Sequence, residues 1–400
     1  MPTDHLRPPL PHGPAPDPAA AGGAHHARHA GPAVSGLAGG DLRTFARRDD
    51  GHLPPPHGKD GPAGALPRGG RRPSGGGGAD GSPLREARGR GDHAGPDFRV
   101  EVGPDGYAWW YLDGVSDDGQ RAVSVIGFIG SVFSPWYAWS GRRNPQNHVC
   151  LNVATYGPGG RFTMTDRGTA ALRQEKDTLT IGPSRMHWTG RDLVIDIDEI
   201  SSPPLISRVR GRITLTPSAI TGVELALHPR HQWRPFAPTA RIDVNLTQGH
   251  RWQGHGYFDA NFGTTALERD FDFWTWGRFP MKDRALCLYD ATWADGTQRD
   301  FALEVTPSGE AREVTAPPRT QFARTNWLVR RETRADPGTR PRQIMPMLDA
   351  PFYSRSVVET RLMGETTQGV HEALDLTRFR QPLLKPMLAV RVPRRSGWTF

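Results

Sequence analysis

The sequence predicts an all-β protein of antiparallel strands that follows a long segment without regular structure. From about residue 97 onward, short runs rich in Val, Ile, Tyr, Phe and Trp alternate with turns of Gly, Pro, Asp and Asn. Helical periodicity is not sustained in these runs, apart from one short stretch near the C-terminus. The first 96 residues contain no Trp, Tyr or Ile, and Phe45 is their only aromatic residue. The β-rich remainder is long enough for two domains.

Residues 1–96 form the predicted disordered tail. They are rich in Gly, Ala, Pro and His, as in PHGPAPDPAAAGGAHHARHAGPA and RRPSGGGGADGSP. Such a composition does not bury enough apolar surface to offset the entropy lost on folding. The segment also lacks the apolar run that a signal peptide or a transmembrane helix needs. The His residues of AHHARHA therefore have no fixed geometry, and we expect them to be solvated.

The charge and cysteine content narrow the class of protein. The net charge is +8, and Lys and Arg are interspersed with acidic residues along the chain. A basic stripe of the kind that binds nucleic acid is not visible, although weak attraction to an anionic membrane surface fits this charge. Cys150 and Cys287 lie in the apolar runs HVCLNVATY and RALCLYDATW. We predict buried free thiols in a reducing cytoplasm.

The first block of predicted strands leads to a predicted domain boundary. Its strands are residues 107–115, 121–130, 148–156, 161–168, 191–200, 206–217 and 220–228. The stretch PRHQWRPFAPTA, residues 229–240, is rich in Pro and Arg and is predicted to be a linker. The N-terminal β domain is therefore expected at residues 97–235, and the C-terminal β domain at residues 236–400.

The second block has the same rhythm of short strands. Its predicted strands are residues 241–249, 254–265, 271–279, 284–293, 301–306, 326–331 and 356–364. Residues 368–379, QGVHEALDLTRF, are predicted to form a short helix. GxGxxG, P-loop and GxSxG motifs are not found in residues 97–400. Regular short strands separated by turns predict antiparallel sandwiches or barrels.

The stretch GHGYFDANFGTT, residues 254–265, carries an unusual alternation. In a strand, successive side chains point to opposite faces of the sheet. One face then carries His255, Tyr257, Asp259 and Asn261, and the other carries Phe258 and Phe262. The sequence therefore predicts a carboxyl group on a face of polar and aromatic side chains, in a region rich in Trp and Phe.

Two further stretches offer partners for Asp259. The predicted linker contributes His231 and Trp233, and residues 271–279 place Asp272, Trp274, Trp276 and Arg278 on one face. If these strands are neighbours, one or two carboxyl groups lie among Tyr and Trp rings. Structural roles compete with this interpretation: core packing for each Trp, an ion pair with an Arg for Asp272, and a hydrogen-bonded structural role for His255.

Two kinds of chemistry fit an acid in an aromatic environment. A glycosidase needs two carboxyl groups, which Asp259 with Glu268 or Asp272 would supply. Protonation of an alkene needs one acid, and electron-rich rings that stabilise the carbocation at about 2 kcal/mol per desolvated ring. Metal-dependent hydrolysis is not favoured, because the His spacing is not HExxH and no cluster of acids accompanies it.

Three sequence features resemble the carotenoid 1,2-hydratases, also called hydroxyneurosporene synthases. They are WWYLDG at residues 109–114, GHGYFDANFGTTALERDFDFWTWGRF at residues 254–279, and the upstream pair His231 and Trp233. The resemblance covers residues 98–395. It implies two lipocalin-like β-barrel or sandwich domains, and addition of water to the terminal C1–C2 double bond of acyclic carotenes such as neurosporene and lycopene, without an organic cofactor. We also expect no requirement for a metal, because the sequence offers no set of metal ligands.

The resemblance also implies roles for residues. Asp259 is expected to donate the proton to C2, with Trp233 and Tyr257 facing the cation, while water positioned by His231 or His255 attacks C1. We expect the remaining site residues to bind the substrate: His255, Asn261, Asp272, Trp274, Trp276 and Arg278. A membrane-resident carotene implies a cytoplasmic protein at the inner membrane of a photosynthetic bacterium, in peripheral contact with lipid. Two alternatives stay open: a related lipocalin-like cyclase or lyase, and a carrier of a lipophilic ligand.

Overall fold

The structure is a computed structural model that describes residues 84–86 and 95–397. These residues form β-sheets with four short α-helices and two 3-10 helices, Pro145–Asn147 and Thr169–Ala171, which confirms the predicted all-β class. The predicted disordered tail, residues 1–96, lies outside the described residues, apart from a three-residue strand at Leu84–Glu86 and residues 95–96. None of the described helices has the length and apolar character needed to cross a membrane.

Fourteen of the described strands come before the second large sheet's first strand in chain order. They are β1 (Leu84–Glu86), β2 (Tyr107–Ser116), β3 (Ala122–Ile129), β4 (Val149–Tyr156), β5 (Phe162–Thr163), β6 (Asp166–Arg167), β7 (Leu172–Gln174), β8 (Thr178–Ile181), β9 (Ser184–Trp188), β10 (Leu193–Ile200), β11 (Arg208–Pro217), β12 (Val223–His228), β13 (His231–Leu246) and β14 (Arg251–Gly263). Helix α1 (Pro135–Trp139) lies between β3 and β4.

The remaining elements follow in chain order. They are α2 (Leu267–Asp270), β15 (Phe271–Pro280), β16 (Ala285–Trp293), β17 (Gln298–Val305), β18 (Ala311–Glu313), β19 (Arg319–Phe322), β20 (Arg331–Arg334), β21 (Arg342–Ala350), β22 (Tyr353–Leu362), β23 (Glu365–Asp375), α3 (Leu376–Phe379), α4 (Leu384–Arg391) and β24 (Arg394–Arg395).

The first sheet encloses one hydrophobic core. Its strand order is β24-β6-β4-β3-β2-β14-β13-β11-β10-β9-β8-β7, with the short strands β1, β5 and β12 attached beside this path. Side chains from the middle and the far end of the sheet, such as Phe258, Val125 and Met186, belong to one buried cluster. The sheet is therefore strongly curved around this core, although neither large sheet closes into a barrel within the described residues.

The second sheet packs against the outer face of the first. Its order is β18-β17-β16-β15-β23-β22-β21. A second buried cluster joins Trp233 and Tyr257 of the first sheet to Trp276 and Tyr289 of the second. Because Tyr257 lies in this cluster and its neighbour Phe258 lies in the first core, β14 has the predicted alternation. Asp259 therefore points between the two sheets.

The predicted linker at residues 229–240 is wrong. The chain turns directly from β12 into β13, which pairs with β11, β12 and β14. Pro has no N–H for the sheet and is tolerated at bulges, and the register between β13 and β14 shifts at Pro235. The expected boundary at residues 235 and 236 thus falls inside β13, and the next strand of the same sheet, β14, ends at Gly263.

Two smaller predictions also differ from the structure. Residues 368–379 were expected to be helical, but most of them belong to β23, which lies between β15 and β22, and only α3 is helical. Strand pairing on both sides overrides the helix propensity of Glu, Ala and Leu here. The predicted strand at residues 326–331 is also mostly wrong: residues 326–330 are irregular, and β20 begins only at Arg331. Cys150 and Cys287 are buried and free, as predicted.

Candidate active site

Asp259 lies on β14, where neighbouring strands supply its partners. Its side chain is 3% exposed. Trp233 on β13 donates a hydrogen bond from Nε1 to Oδ2 at 2.9 Å, and the Tyr257 hydroxyl donates to the same oxygen at 2.8 Å. Asn261 Nδ2 lies 3.4 Å from Oδ1. Since Oδ2 already accepts two hydrogen bonds, Oδ1 is the oxygen that carries the proton when Asp259 is neutral.

The protonation state of Asp259 follows from its burial. Loss of solvation raises the pKa of this carboxyl group from 3.8 to about 8. The hydrogen bonds from Trp233 and Tyr257 lower the pKa, and the negative charges of Glu372 and Asp113 raise it. The burial effect is the largest. Asp259 is therefore an acid that keeps its proton at neutral pH.

The Asp259 carboxyl group borders a small cavity between the sheets. Its volume is about 40 Å³, enough for two or three water molecules. Six aromatic rings and three polar side chains line it: Trp109, Tyr111, Trp233, Trp274, Trp276 and Tyr289, with Asp259, Asn261 and Glu372. The buried Trp276 Nε1 has no hydrogen-bond partner in the structure. The cavity thus combines a neutral acid, aromatic faces and one free buried donor.

The aromatic rings pack on one another and are held in place. The Tyr111 and Trp276 rings meet edge to face with centroids 5.6 Å apart, and Tyr289 lies 5.9 Å from Trp233. Burial raises the pKa of the Tyr111 and Tyr289 phenols well above 10, so these rings are neutral. Neutral, electron-rich faces attract a cation without supplying a strong nucleophile.

His231 is not among the residues that line this cavity. Its Nδ1 pairs with the Tyr107 hydroxyl at 2.9 Å, and its Nε2 pairs with Asp270 Oδ2 at 2.8 Å. Burial lowers the pKa of His231 to about 4, against the opposing effect of Asp270. The Tyr107 ring in turn stacks on Trp109 at 4.7 Å. His231 therefore reaches the cavity only indirectly, through Tyr107 and Trp109 on one side and through Phe271 and Trp274 on the other.

Three other predicted site residues also lie outside the cavity. Arg278 Nη1 contacts His255 Nδ1 at 2.5 Å, and Arg278 Nε pairs with Asp113 at 2.8 Å. Burial, with the nearby charge of Arg278, lowers the pKa of His255 to about 3. Asp272 forms an ion pair with Arg380 at 2.8 Å. Of the predicted residues, the cavity brings together Trp233, Asp259, Asn261, Trp274 and Trp276, and Tyr257 touches Asp259 from the side.

Four residues that line the cavity were not predicted as site residues: Trp109, Tyr111, Tyr289 and Glu372. Trp109 and Tyr111 lie in the WWYLDG stretch, where alternation places both on one face. Tyr289 and Cys287 are likewise two residues apart on β16, so their side chains share one face of that strand. Glu372 lies in the stretch that was predicted to be helical, and its two-residue spacing from Val370 and Leu374 was the signal available for a strand.

One group of described residues has the composition of metal ligands. A ligand atom of His228, one of His231 and one of Asp270 lie within 4.8 Å of one another. The Arg230 guanidinium also contacts Asp270, and Tyr107 occupies the second nitrogen of His231. A cation at this place would lie beside the positive charge of Arg230, so the donor set fits a hydrogen-bonded cluster better than a metal ion.

Comparison with known proteins points to one family. Residues 125–400 match the family described as carotenoid hydratase CrtC. The chain is 70% identical over 278 residues to the acyclic carotenoid 1,2-hydratase of Cereibacter sphaeroides, covering 69% of this chain and 100% of that protein. It is 60% identical over 277 residues to the enzyme of the same name from Rhodobacter capsulatus, covering 68% and 99%. It is 44% identical over 381 residues to the acyclic carotenoid 1,2-hydratase of Thiocapsa roseopersicina, covering 93% of this chain and 94% of that protein.

Proposed function

Because this chain belongs to the carotenoid hydratase family, we propose that it adds water to the terminal C1–C2 double bond of acyclic carotenes such as neurosporene and lycopene. One observation carries the proposal: Asp259 is a buried acid that keeps its proton at neutral pH and borders a cavity lined by aromatic rings. An alkene is a weak base, so its hydration needs a positioned acid and surroundings that stabilise the developing charge.

The proton moves from Asp259 Oδ1 to C2 of the carotene. The positive charge then develops at C1, which carries two methyl groups and forms a tertiary cation. The ring faces around the cavity stabilise this charge by about 2 kcal/mol for each desolvated ring. The hydrogen bonds from Trp233 and Tyr257 strengthen as Asp259 becomes a carboxylate, because charge-assisted hydrogen bonds are stronger than neutral ones. Water then attacks C1.

The alternatives fit the site less well. Glu268 pairs with Arg142 and Asp272 with Arg380, and neither lines the cavity, so the carboxyl groups predicted to complete a glycosidase pair do not meet Asp259 there. A lipid carrier would gain nothing from a buried acid, whose burial costs free energy. A related cyclase or lyase would use the same acid, but its product would lack the mass of one added water.

The test is a hydration assay with the complete chain. The protein is incubated with lycopene or neurosporene in liposomes, and the products are analysed by mass spectrometry. We expect a gain of one water per reacted end in the wild type and none with Asp259→Asn. An isomer of unchanged mass would indicate a cyclase, and an unaltered carotene that copurifies with the protein would indicate a carrier.

A second, apolar cavity offers room for part of the polyene chain. It measures about 110 Å³ and lies beneath α4, with Phe133, Phe352 and Leu388 among its lining residues. Arg355 lines this cavity, and its guanidinium lies 5.1 Å from the Tyr111 ring, which borders the cavity of Asp259. We propose that the polyene lies along this cavity with its end near Asp259.

The outer face of α4 is the proposed membrane contact. Leu383, Met387 and Val390 are 85%, 48% and 63% exposed. Their spacing of four and three residues places them on one side of the helix, while Leu384 and Leu388 pack against the core between the sheets. An apolar helix face of this kind lies in a lipid interface. We therefore propose peripheral contact with the cytoplasmic face of the inner membrane, next to the apolar cavity.

Vesicle flotation tests this contact. Met387→Glu places a charge where an apolar side chain would enter lipid, and a buried Met side chain is worth about 1.5–3 kcal/mol. We expect the fraction bound to phospholipid vesicles to fall at least about tenfold, which is about 1.4 kcal/mol. Met387→Leu keeps the face apolar and serves as the matched control. Equal binding of the Glu variant and the wild type would contradict the proposal.

A further inference from the structure

Glu372 is the second carboxyl group at the cavity of Asp259. It lies on β23, opposite Trp276 of β15 on one side and opposite Arg355 of β22 on the other. Its side chain lines the cavity and is 14% exposed. Because β23 is an inner strand of the second sheet, Glu372 approaches the cavity from the opposite sheet to that of Asp259.

A buried arginine holds Glu372 in this place. Arg355 Nε pairs with Glu372 Oε1 at 2.6 Å, and the Arg355 side chain is 4% exposed. The same guanidinium donates from Nη1 to Ser124 Oγ at 2.6 Å and to the Tyr156 hydroxyl at 3.1 Å. Arg355 is therefore fixed by the first sheet, and it keeps its partner oriented. The carboxylate of an ion pair offers only hydrogen-bond acceptors to a nearby water, whereas the neutral Asp259 has a proton to donate.

The two histidines predicted to position water are engaged elsewhere. Both nitrogens of His231 have partners, and His255 is bound by Arg278. Neither ring borders the cavity, whereas Glu372 does. Since the cavity has room for two or three waters, Glu372 and Asp259 are the two carboxyl groups that such waters would meet.

We propose that Glu372 is the general base of the reaction and takes the proton from the water that attacks C1. This inference rests on the proposed hydratase function. The O–H bond of Asp259 breaks as the C2–H bond forms from the π electrons, which leaves the cation at C1. The water oxygen then forms the C1–O bond, and one of its protons passes to the Glu372 carboxylate. Exchange with solvent returns a proton to Asp259 and removes one from Glu372.

The experiment compares Glu372→Gln with Asp259→Asn in D₂O. In Glu372→Gln the cation still forms, and Asp259 takes a proton back, so deuterium enters the recovered carotene while hydration fails. We expect hydration to fall about 100-fold or more, the usual contribution of a general base, with deuterium incorporation close to that of the wild type. Asp259→Asn loses both hydration and incorporation. If the wild type itself returns carotene that has gained neither a hydroxyl group nor deuterium, the proposed hydratase function is rejected.

Two outcomes overturn the role of Glu372. The first is hydration by Glu372→Gln within about threefold of the wild type. The second is a loss of both hydration and deuterium incorporation in a variant that melts cooperatively, which would make Glu372 a support for the acid step. Since the charge of Glu372 raises the pKa of Asp259, both assays are run at pH 6, where Asp259 stays protonated in the variant.

Discussion

Replacing Asp259 with Asn keeps the shape of the side chain and an oxygen that accepts the hydrogen bonds from Trp233 and Tyr257, but it removes the acid proton. Burial raises the pKa of Asp259 from 3.8 to about 8. At pH 7 the wild-type group is protonated in roughly nine of ten folded molecules, against about one in 1,600 at the unshifted value. The cavity therefore enriches the acid by about three powers of ten.

The same pKa shift predicts that Asp259→Asn is more stable than the wild type. Asp259 in the unfolded chain ionises above pH 3.8, while in the folded protein it stays neutral up to about pH 8. Wild-type stability is therefore greatest below the lower pKa and decreases as the pH rises through the folded value. At pH 7 the folded group is still mostly neutral, while the unfolded group is roughly three pH units above its pKa, so the loss at this pH is about 4 kcal/mol. Asn carries no charge in either state and avoids this loss.

We therefore expect activity and stability to change in opposite directions. Hydration by Asp259→Asn should fall at least about 1,000-fold, because the side chain has no proton to donate. Its free energy of unfolding at pH 7 should rise by up to about 4 kcal/mol, measured by denaturant titration. Asp272→Asn is the matched control. Its ion pair with Arg380 is partly exposed and lies outside the cavity, so both quantities should change little.

Two results would refute this reasoning. If folded Asp259→Asn keeps a tenth or more of the wild-type rate, Asp259 is not the acid. If the stability difference between wild type and variant is the same at pH 5 and at pH 8, the pKa of Asp259 is not raised, and the link between burial and acidity fails.

Two further predictions concern the same acid. The rate of the wild type should fall about tenfold per pH unit above about pH 8, as Asp259 loses its proton, and a kcat/KM profile from pH 6 to 10 measures this; a flat profile through pH 9.5 would exclude Asp259 as the titrating acid. In Tyr257→Phe the hydrogen bond that lowers the pKa of Asp259 is lost, so the descending limb should move to higher pH while the maximal rate decreases without vanishing; an unmoved limb would mean that Tyr257 does not act on the carboxyl group.

Local pattern was sufficient for much of the fold and for part of the site. The alternation in residues 254–265 predicted both the strand and the shared face of Tyr257 and Asp259, because a strand has a period of two whatever surrounds it. Trp274 and Trp276 followed from the same rule on β15. The pairing of these strands into two packed sheets was beyond local pattern, since it depends on contacts distant in sequence.

The errors in the predicted fold also arise from contacts between residues that are distant in sequence. The prolines of residues 229–240 are typical of a linker, but Pro235 and Pro238 lie in a long strand, β13, whose irregular register accommodates them. Residues 368–379 have helical propensity, but β23 is held between β15 and β22. In both places, pairing with neighbouring strands outweighs a local preference of roughly a kcal/mol or less per residue. His231 and Asp272 likewise carry suitable chemistry, and the fold turns them toward other partners.

By itself, the sequence determined the β class, the faces of the strands and an acid among aromatic side chains, because these depend on side-chain type and on the geometry of a strand. The tertiary structure alone decided which groups meet. It brought Glu372 of the second sheet, held by Arg355, to the cavity of Asp259 on the first. It also decided the protonation of Asp259, because a pKa raised to about 8 comes from burial between two sheets, and burial is a property of the packed chain.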